Sequence, residues 1–387
     1  MTAVLPSSSP PPPSPGPASA LEPPSGAGPG FEGGPVEAAV AAIGAGGFAV
    51  VVDDGADGGG SGSGSAEGVL VLAAQAMTAE KMAFMIRHTS GVIAVPLEGQ
   101  RLDALHLPLM VADPAAATTA AFTVSVDAHH GGAGRPGSAG VSAADRSHTV
   151  HALIDPGTRP GDLARPGHVF PQRYREGGVL RRAGRGEAAV DLARLAGRLP
   201  AAVTAELVDD DGSLPGRAGI ERFATDHRLP VVTIAELVAH RRRREKLVRQ
   251  VSSARMPTPY GDFTAVVFAA LLDGAEHVAL VRGEVNGTAC DVPVHVHAEC
   301  LTGDTFGSLR CDCGRRLDAA LADIAAAGAG VLVYLRDHVS PTRGLLHELH
   351  SDHHQDHVHD DGIAAQILAD LGAPAPTTTA APLARLA

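Results

Sequence analysis

The 387-residue sequence has no tryptophan, and aromatic residues make up only 3% of it. Its cores must therefore be built from Ala, Val and Leu. Lysine is almost absent too: Lys81 and Lys246 stand alone, and arginine supplies nearly all the positive charge. Acidic residues outnumber basic ones, 43 to 31, for a formal net charge of −12. That balance argues against a general nucleic-acid binder. Four cysteines, three of them clustered, make no disulfide framework and fit a reducing compartment. The N-terminus lacks a basic region followed by an apolar one, and no apolar run approaches membrane-spanning length. These absences read as a cytoplasmic protein with no membrane and no nucleic-acid partner.

What is present suits two folded domains, the default for this length, and 44% hydrophobic content is ample for their cores. The expected fold class is α/β with mixed sheets, over residues 36–245 and 255–372. Pro/Ser/Gly-rich residues 1–35 and Pro/Thr/Ala-rich residues 373–387 read as disordered tails. Strands are expected at Phe48–Asp54, Glu67–Ala74, Val92–Pro96 and Phe122–Val126. Gly55–Gly64 reads as a Gly/Ser/Asp linker and His129–Ala139 as a Gly-rich loop. Thr78 and Ser142 are placed to cap helices. The run Arg241–Arg244 reads as a solvated helix end before a linker. A second unit starts near Tyr260, with strands at Phe263–Phe268, His277–Val281 and Val331–Leu335, and a helix with Leu317, Leu321 and Ile324 on one face.

One stretch, Arg165–Gly212, concentrates chemistry. His168 stands in Arg-Pro-Gly-His-Val-Phe-Pro, where prolines and a glycine hold an acid or base on a rigid, irregular segment. Gly177 and Gly178, followed by Arg181 and Arg182, suit a loop that brings backbone and guanidinium groups onto a phosphate. Glu187 and Glu206 lie close in sequence. Two readings stay open: a site that moves protons on a small phosphorylated substrate, and an ordinary loop–helix–strand with a surface histidine. In the second unit, Cys300, Cys311 and Cys313 form a C-x10-C-x-C arrangement suited to Zn2+. Three protein ligands leave a position for water, as in a catalytic zinc. Cys290 reads as a small buried thiol. His347, His350, His354 and His357 would share one helical face; metal binding and a frayed polar helix both remain open there.

Several motifs resemble the bifunctional riboflavin-biosynthesis protein, a 3,4-dihydroxy-2-butanone 4-phosphate synthase fused to GTP cyclohydrolase II. They are Phe122-Thr-Val-Ser-Val-Asp-Ala, Val141-Ser-Ala-Ala-Asp-Arg, Arg165–Asp191, and Glu299-Cys-Leu-Thr-Gly-Asp through Arg310-Cys-Asp-Cys-Gly. The resemblance implies a homodimer with a sugar phosphate substrate, ribulose 5-phosphate, which loses formate through an enediol with the help of Mg2+. It places the essential histidine and glutamate at His168 and Glu206, and part of the phosphate loop at Arg182, Ala183 and Gly184. Glu67 survives from the family's substrate-binding acidic motif. The zinc cysteines carry over to Cys300, Cys311 and Cys313.

The departures are as specific as the matches. The family's metal ligands, a glutamate and a histidine, fall at Ser65 and Arg185, which together cannot hold Mg2+. A substrate arginine becomes Gly64 and an acid becomes Val69. The phosphate-binding Gln-Glu-Gly-Arg-Gly-Ile-Gly of the cyclohydrolase family is replaced from Asp337, and the segment around Asp352, His357 and His359 is shortened. Two functions follow as expectations: a working synthase half beside a cyclohydrolase half that does not turn over GTP, or a non-catalytic paralogue that binds a sugar phosphate or serves as a regulatory or scaffold subunit. Altered chemistry on a related substrate is a third.

Overall fold

Runs of β-branched and aliphatic residues at strand length build two sheets, and Ala-rich helices cover them. The computed structural model of the chain describes residues 34–53, 66–111, 120–129, 139–285, 292–336 and 361–374. Outside them lie Gly64, Ser65, Cys290, the segment from Asp337 through the four histidines to His359, and most of both expected tails and of the two Gly-rich loops. In chain order the first part contains α1 (Pro35–Gly44), β1 (Ala49–Asp53), β2 (Glu67–Ala73), α2 (Ala79–His88), β3 (Ile93–Glu98), α3 (Gly99–Ala104) and β4 (Val126–Ala128). It continues with α4 (Ala143–Ile154), β5 (Leu163–Tyr174), α5 (Arg185–Leu195), β6 (Ala202–Glu206), α6 (Arg217–His227), β7 (Val231–Thr233) and α7 (Ile234–Arg244). The second part contains β8 (Val248–Thr258), β9 (Gly261–Ala270), β10 (Glu276–Arg282), β11 (Val294–Ala298), α8 (Cys313–Ala327), β12 (Gly330–Leu335) and α9 (Asp361–Asp370).

The first seven strands form one mixed sheet in the order β4-β5-β3-β6-β2-β1-β7. Period-two alternation sends Val50, Leu70, Ile93, Val169 and Ala205 to one face, where α2, α4 and α6 cover them. Ala49, Val51, Val69, Val71 and Ala202 go to the other face, beneath α1, α5 and α7. Eight consecutive residues of α5, Gly186 to Ala193, are buried. A helix enclosed on every side must be small-sided, which is what an Ala-rich sequence supplies. Thr78 and Ser142 cap α2 and α4 through the amides of Lys81 and Asp145, as their positions predict.

The second sheet has the order β11-β12-β10-β9-β8. Phe268, Val333 and Val248 face α9, while Phe263, Leu280 and Leu332 face α8. Phe263 and Phe268, both in β9, are among the largest fully buried side chains.

Four expectations from sequence need correction. The linker expected before the second unit contains strand β8, which pairs along its length with β9. Only Val248 of β8 is buried, so this edge strand carries no apolar signature. The strand expected at Phe122–Val126 begins instead at Val126. Thr123 donates to the Pro171 carbonyl, and Pro171 has no N–H with which to return the bond, so the ladder lapses there. The His168 segment is part of β5, although its irregularity survives: pairing with β4 jumps from Val126↔Val169 to Asp127↔Ala164. Finally, Arg241 is buried, because its Nη1 lies 2.6 Å from the carboxylate of Asp191, which is 2% exposed. A carboxylate that deep needs charged and hydrogen-bonding partners, and Tyr174 and the Val179 amide also donate to it.

Candidate functional site

Strand register assembles the site at one end of the first sheet. Asp53 pairs with Glu67 across β1 and β2, and Val69 pairs with Glu206 across β2 and β6. Because Val51, Val69 and Val71 face α5, the acids in step with them, Asp53, Glu67 and Glu206, end on that same face. Arg185 is the first residue of α5 and lies over this end. Its Nη1 is 2.6 Å from Glu67 Oε2 and 3.5 Å from Glu206 Oε1. Glu67, Glu206 and Arg185 thus meet in one group, although Glu67 and Arg185 are 118 residues apart.

His168 stands in the bulge where β5 leaves its partner. The unpaired backbone is satisfied by side chains: the Gly167 amide donates to Ser125 Oγ and the His168 amide to Asp127 Oδ1. The imidazole Nδ1 lies 2.7 Å from Asp127 Oδ2. Asp127 thus grips both the backbone and the ring of His168, fixing the Nδ1–H tautomer and leaving Nε2 as the proton acceptor. Two glycines make room for this pair. A side chain at Gly167 would strike the Val126–Asp127 peptide at 2.0 Å, and one at Gly140 (φ +74°) would strike Asp127 Oδ2 at 2.0 Å. The His168 side chain is 42% exposed, so its free nitrogen can meet a solute. Glu206 belongs to the next strand but one, β5-β3-β6, which puts it about 10 Å from His168 by strand spacing.

The basic loop is used differently from its sequence reading. Gly177 and Gly178 both take positive φ, +94° and +61°. A Cβ at Gly178 would lie 2.1 Å from Asp191, so the twin glycines wrap the internal carboxylate of Asp191. Arg181 reaches Asp273 in the β9–β10 turn at 3.7 Å. Arg182 Nη1 holds the buried Glu187 carboxylate at 3.0 and 3.2 Å, which fastens it to the first turn of α5. Ala183 packs against the core on the α5 side of the sheet. Gly184 caps α5 without a side-chain hydrogen bond, so that turn begins with open backbone amides.

These residues do not fit Mg2+. The ion asks for several oxygen ligands in octahedral array, and at position 185 the chain offers a guanidinium that donates and never accepts. That guanidinium already holds a Glu67 oxygen.

The second unit does fit zinc. Cys300, Cys311 and Cys313 are buried together, with sulfur atoms all within 4.8 Å of one another. The Cys300 and Cys311 sulfurs are 3.7 Å apart. Thiolates about 2.3 Å from a tetrahedral zinc sit about 3.8 Å apart, so the spacing needs little adjustment. The Gly303 amide donates to Cys300 Sγ, and a side chain at Gly303 would lie 2.7 Å from Cys311 Sγ. Burial pushes the Cys300 and Cys313 thiols above their ordinary range, and neighbouring cysteine charge pushes Cys313 further. A bound cation would reverse that and take the thiolates.

Two acids that organise these sites were not singled out from sequence. Asp127 lies inside the quoted Phe122–Ala128 motif, and its partner is 41 residues away. Asp304 lies in the quoted Leu-Thr-Gly-Asp motif and accepts from His297, the Cys300 amide and Tyr334. Burial alone would raise its pKa, but those donors hold it below the ordinary carboxylate value. For Asp304 the available signal was its place beside Cys300; Asp127, between Val126 and Ala128, offered only its place in a motif shared with the family.

Comparison with known proteins agrees with the two-part layout. Residues 37–240 match the 3,4-dihydroxy-2-butanone 4-phosphate synthase family, and residues 248–375 match the GTP cyclohydrolase II family. The chain is 49% identical over 355 residues to the riboflavin biosynthesis protein RibBA of Salinispora arenicola, a match spanning 88% of this chain and 81% of that one. It is 48% identical over 324 residues to the chloroplastic bifunctional riboflavin biosynthesis protein RIBA 1 of Arabidopsis thaliana, over 79% of this chain and 59% of the relative. Among solved structures, RibBX of A. baumannii, a two-domain 3,4-dihydroxy-2-butanone 4-phosphate synthase, superposes with a TM-score of 0.71 at 33% identity. That match covers 90% of this chain and 94% of RibBX.

Proposed function

The chain belongs to the family of bifunctional riboflavin-biosynthesis proteins, and from that premise we propose that its first half carries the turnover and its second does not. The proposed reaction converts ribulose 5-phosphate to 3,4-dihydroxy-2-butanone 4-phosphate and formate. The observation that carries it is the Asp127–His168 pair, whose Nδ1 contact of 2.7 Å leaves Nε2 basic. In the first step a substrate C–H bond breaks, the proton goes to His168 Nε2, and the electron pair moves onto the neighbouring carbonyl oxygen to give an enediolate. Glu206 returns and removes protons at the other end of the sugar. Arg182, Ala183, Gly184 and the opening amides of α5 receive the phosphate, and Glu67 orients the hydroxyl groups. No step is routed through Mg2+, because Arg185 stands where the family's metal histidine is expected.

In the second half, Cys300, Cys311 and Cys313 would hold Zn2+, which in a complete cyclohydrolase activates a water against the guanine ring. From Asp337 onward the sequence replaces the family's Gln-Glu-Gly-Arg-Gly-Ile-Gly, the motif expected to bind the triphosphate, with Asp-His-Val-Ser-Pro-Thr-Arg-Gly. GTP is not turned over. The functional unit on this reading is a homodimer in the cytoplasm, with a first domain over 36–245 and a second over 255–372. Among the described residues no helix is long and apolar enough to cross a membrane.

A second reading, a non-catalytic paralogue that binds a sugar phosphate, is favoured by the Arg185–Glu67 ion pair. Formate release from ribulose 5-phosphate decides between them. Turnover supports the first reading; binding without turnover supports the second. Recovery of Mg2+-dependent activity in the Ser65→Glu, Arg185→His double variant would locate the defect at the metal site.

A further inference from the structure

The disagreement between this site and a magnesium ion has a constructive side. Arg185 sits within reach of two carboxylates at the open end of the sheet, 2.6 Å from Glu67 and 3.5 Å from Glu206. Its side chain is 31% exposed, and among the described residues its Nη2 and Nε make no hydrogen bond. The guanidinium is therefore anchored by one amino group, on a side chain that is partly open to solvent. α5 holds its root rigidly, since the seven residues after Gly186 are all buried and Asp191 is locked to Arg241. A fixed, permanently charged, planar donor beside a proton-transfer pair is the arrangement that stabilises a developing oxyanion.

We propose that Arg185 is a built-in cation: it takes the place of the family's divalent metal and pairs with the negative oxygen of an enediolate substrate, so that the site works without Mg2+. The inference rests on the synthase reading of the same site. Glu67 acts as a positioning residue, holding one arm of Arg185 so that the other faces the ligand. When the C–H proton passes to His168, the electron pair arrives on an oxygen that Arg185 Nη2 and Nε can hydrogen-bond, and the charge that a metal would neutralise is met by the guanidinium. No oxidant, reductant or second substrate is needed. The longer contact to Glu206 leaves that carboxylate free to exchange protons while the Glu67 contact persists.

The test compares two ligands that share a phosphate and differ in charge at the other end: 4-phosphoerythronate, whose carboxylate mimics the enediolate oxygen, and erythritol 4-phosphate, which is neutral there. Titration calorimetry on the full chain in EDTA should show the carboxylate ligand preferred. Arg185→Met should reduce that preference about 10- to 100-fold, the range for losing a charged hydrogen bond, while Arg185→Lys keeps most of it. A loss of folding would weaken both ligands equally and is read separately by thermal melting. The proposal is overturned if the preference appears only when Mg2+ is added, or if it survives Arg185→Met intact. These outcomes do not depend on turnover. A chain that binds as described yet releases no formate would contradict the assigned reaction and leave the role of Arg185 standing.

Discussion

On the proposed reading, the two halves of the chain depart from their families in opposite ways. The first half would keep the proton-transfer groups, with His168 braced by Asp127 and with Glu206 on the next strand but one, and Arg185 stands where the family's metal histidine is expected. The second keeps a three-cysteine cluster spaced for a metal, while its nucleotide-binding segment has a different sequence. A half-site is informative because geometry shows which groups still meet: three sulfurs within 4.8 Å of one another in the second half, and a histidine held in a bulge by Asp127 in the first. On the proposed reading the first half turns over and the second serves as a zinc-stabilised partner.

Experiments that sharpen this contrast can be ranked by expected effect. Metal analysis should find one zinc per chain, and Cys311→Ser should remove it entirely; a zinc-free wild type would end the argument for the second half. In the first half, His168→Gln should lower formate release from ribulose 5-phosphate by about 10²- to 10⁴-fold, the usual weight of a general base. Asp127→Asn should lower it by about 10- to 100-fold, in line with loss of a supporting partner. Variants of His168 with unchanged rates would move the chemistry elsewhere.

Next in size is a stability effect. Asp191→Ala strips a buried arginine of one partner, and removing one member of such a pair costs about 3–5 kcal/mol. Because Glu245 also holds Arg241 at 2.6 Å, about 3 kcal/mol is expected from urea unfolding. The smallest effect concerns pH. His88 packs among Phe84, Phe223 and His227, and burial, then the nearby His227 and Arg87, lower its pKa. Above the unfolded value of about 6.5 the ring is neutral in both states and adds no pH dependence. As pH falls through that value the unfolded chain takes up a proton that the folded packing resists, so stability declines until the folded pKa is reached. His88→Gln should flatten the melting temperature between pH 7 and 5; an unchanged slope would show that other groups set it.

How much of this could be read from sequence follows from the range of the interactions. β1, β2 and β12 are apolar runs and announce themselves, whereas β8, exposed along an edge, does not. Thr78 and Ser142 act on residues three positions away and are legible as caps. Asp127 and Arg185 act across 41 and 118 residues, so their partners emerge only from strand register. The arginines show the same limit. A run of four at a helix end reads as solvated, yet Arg241 is enclosed because Asp191 on another helix demands it. Similarly, Gly177 and Gly178 look like a phosphate loop and in fact make room for Asp191, an internal anion.

The most direct test of the contrast between the halves is a formate assay run on one purified preparation with two substrates. The account predicts formate from ribulose 5-phosphate, undiminished by EDTA, and none from GTP. Formate from GTP, or none from ribulose 5-phosphate despite tight sugar phosphate binding, would contradict it.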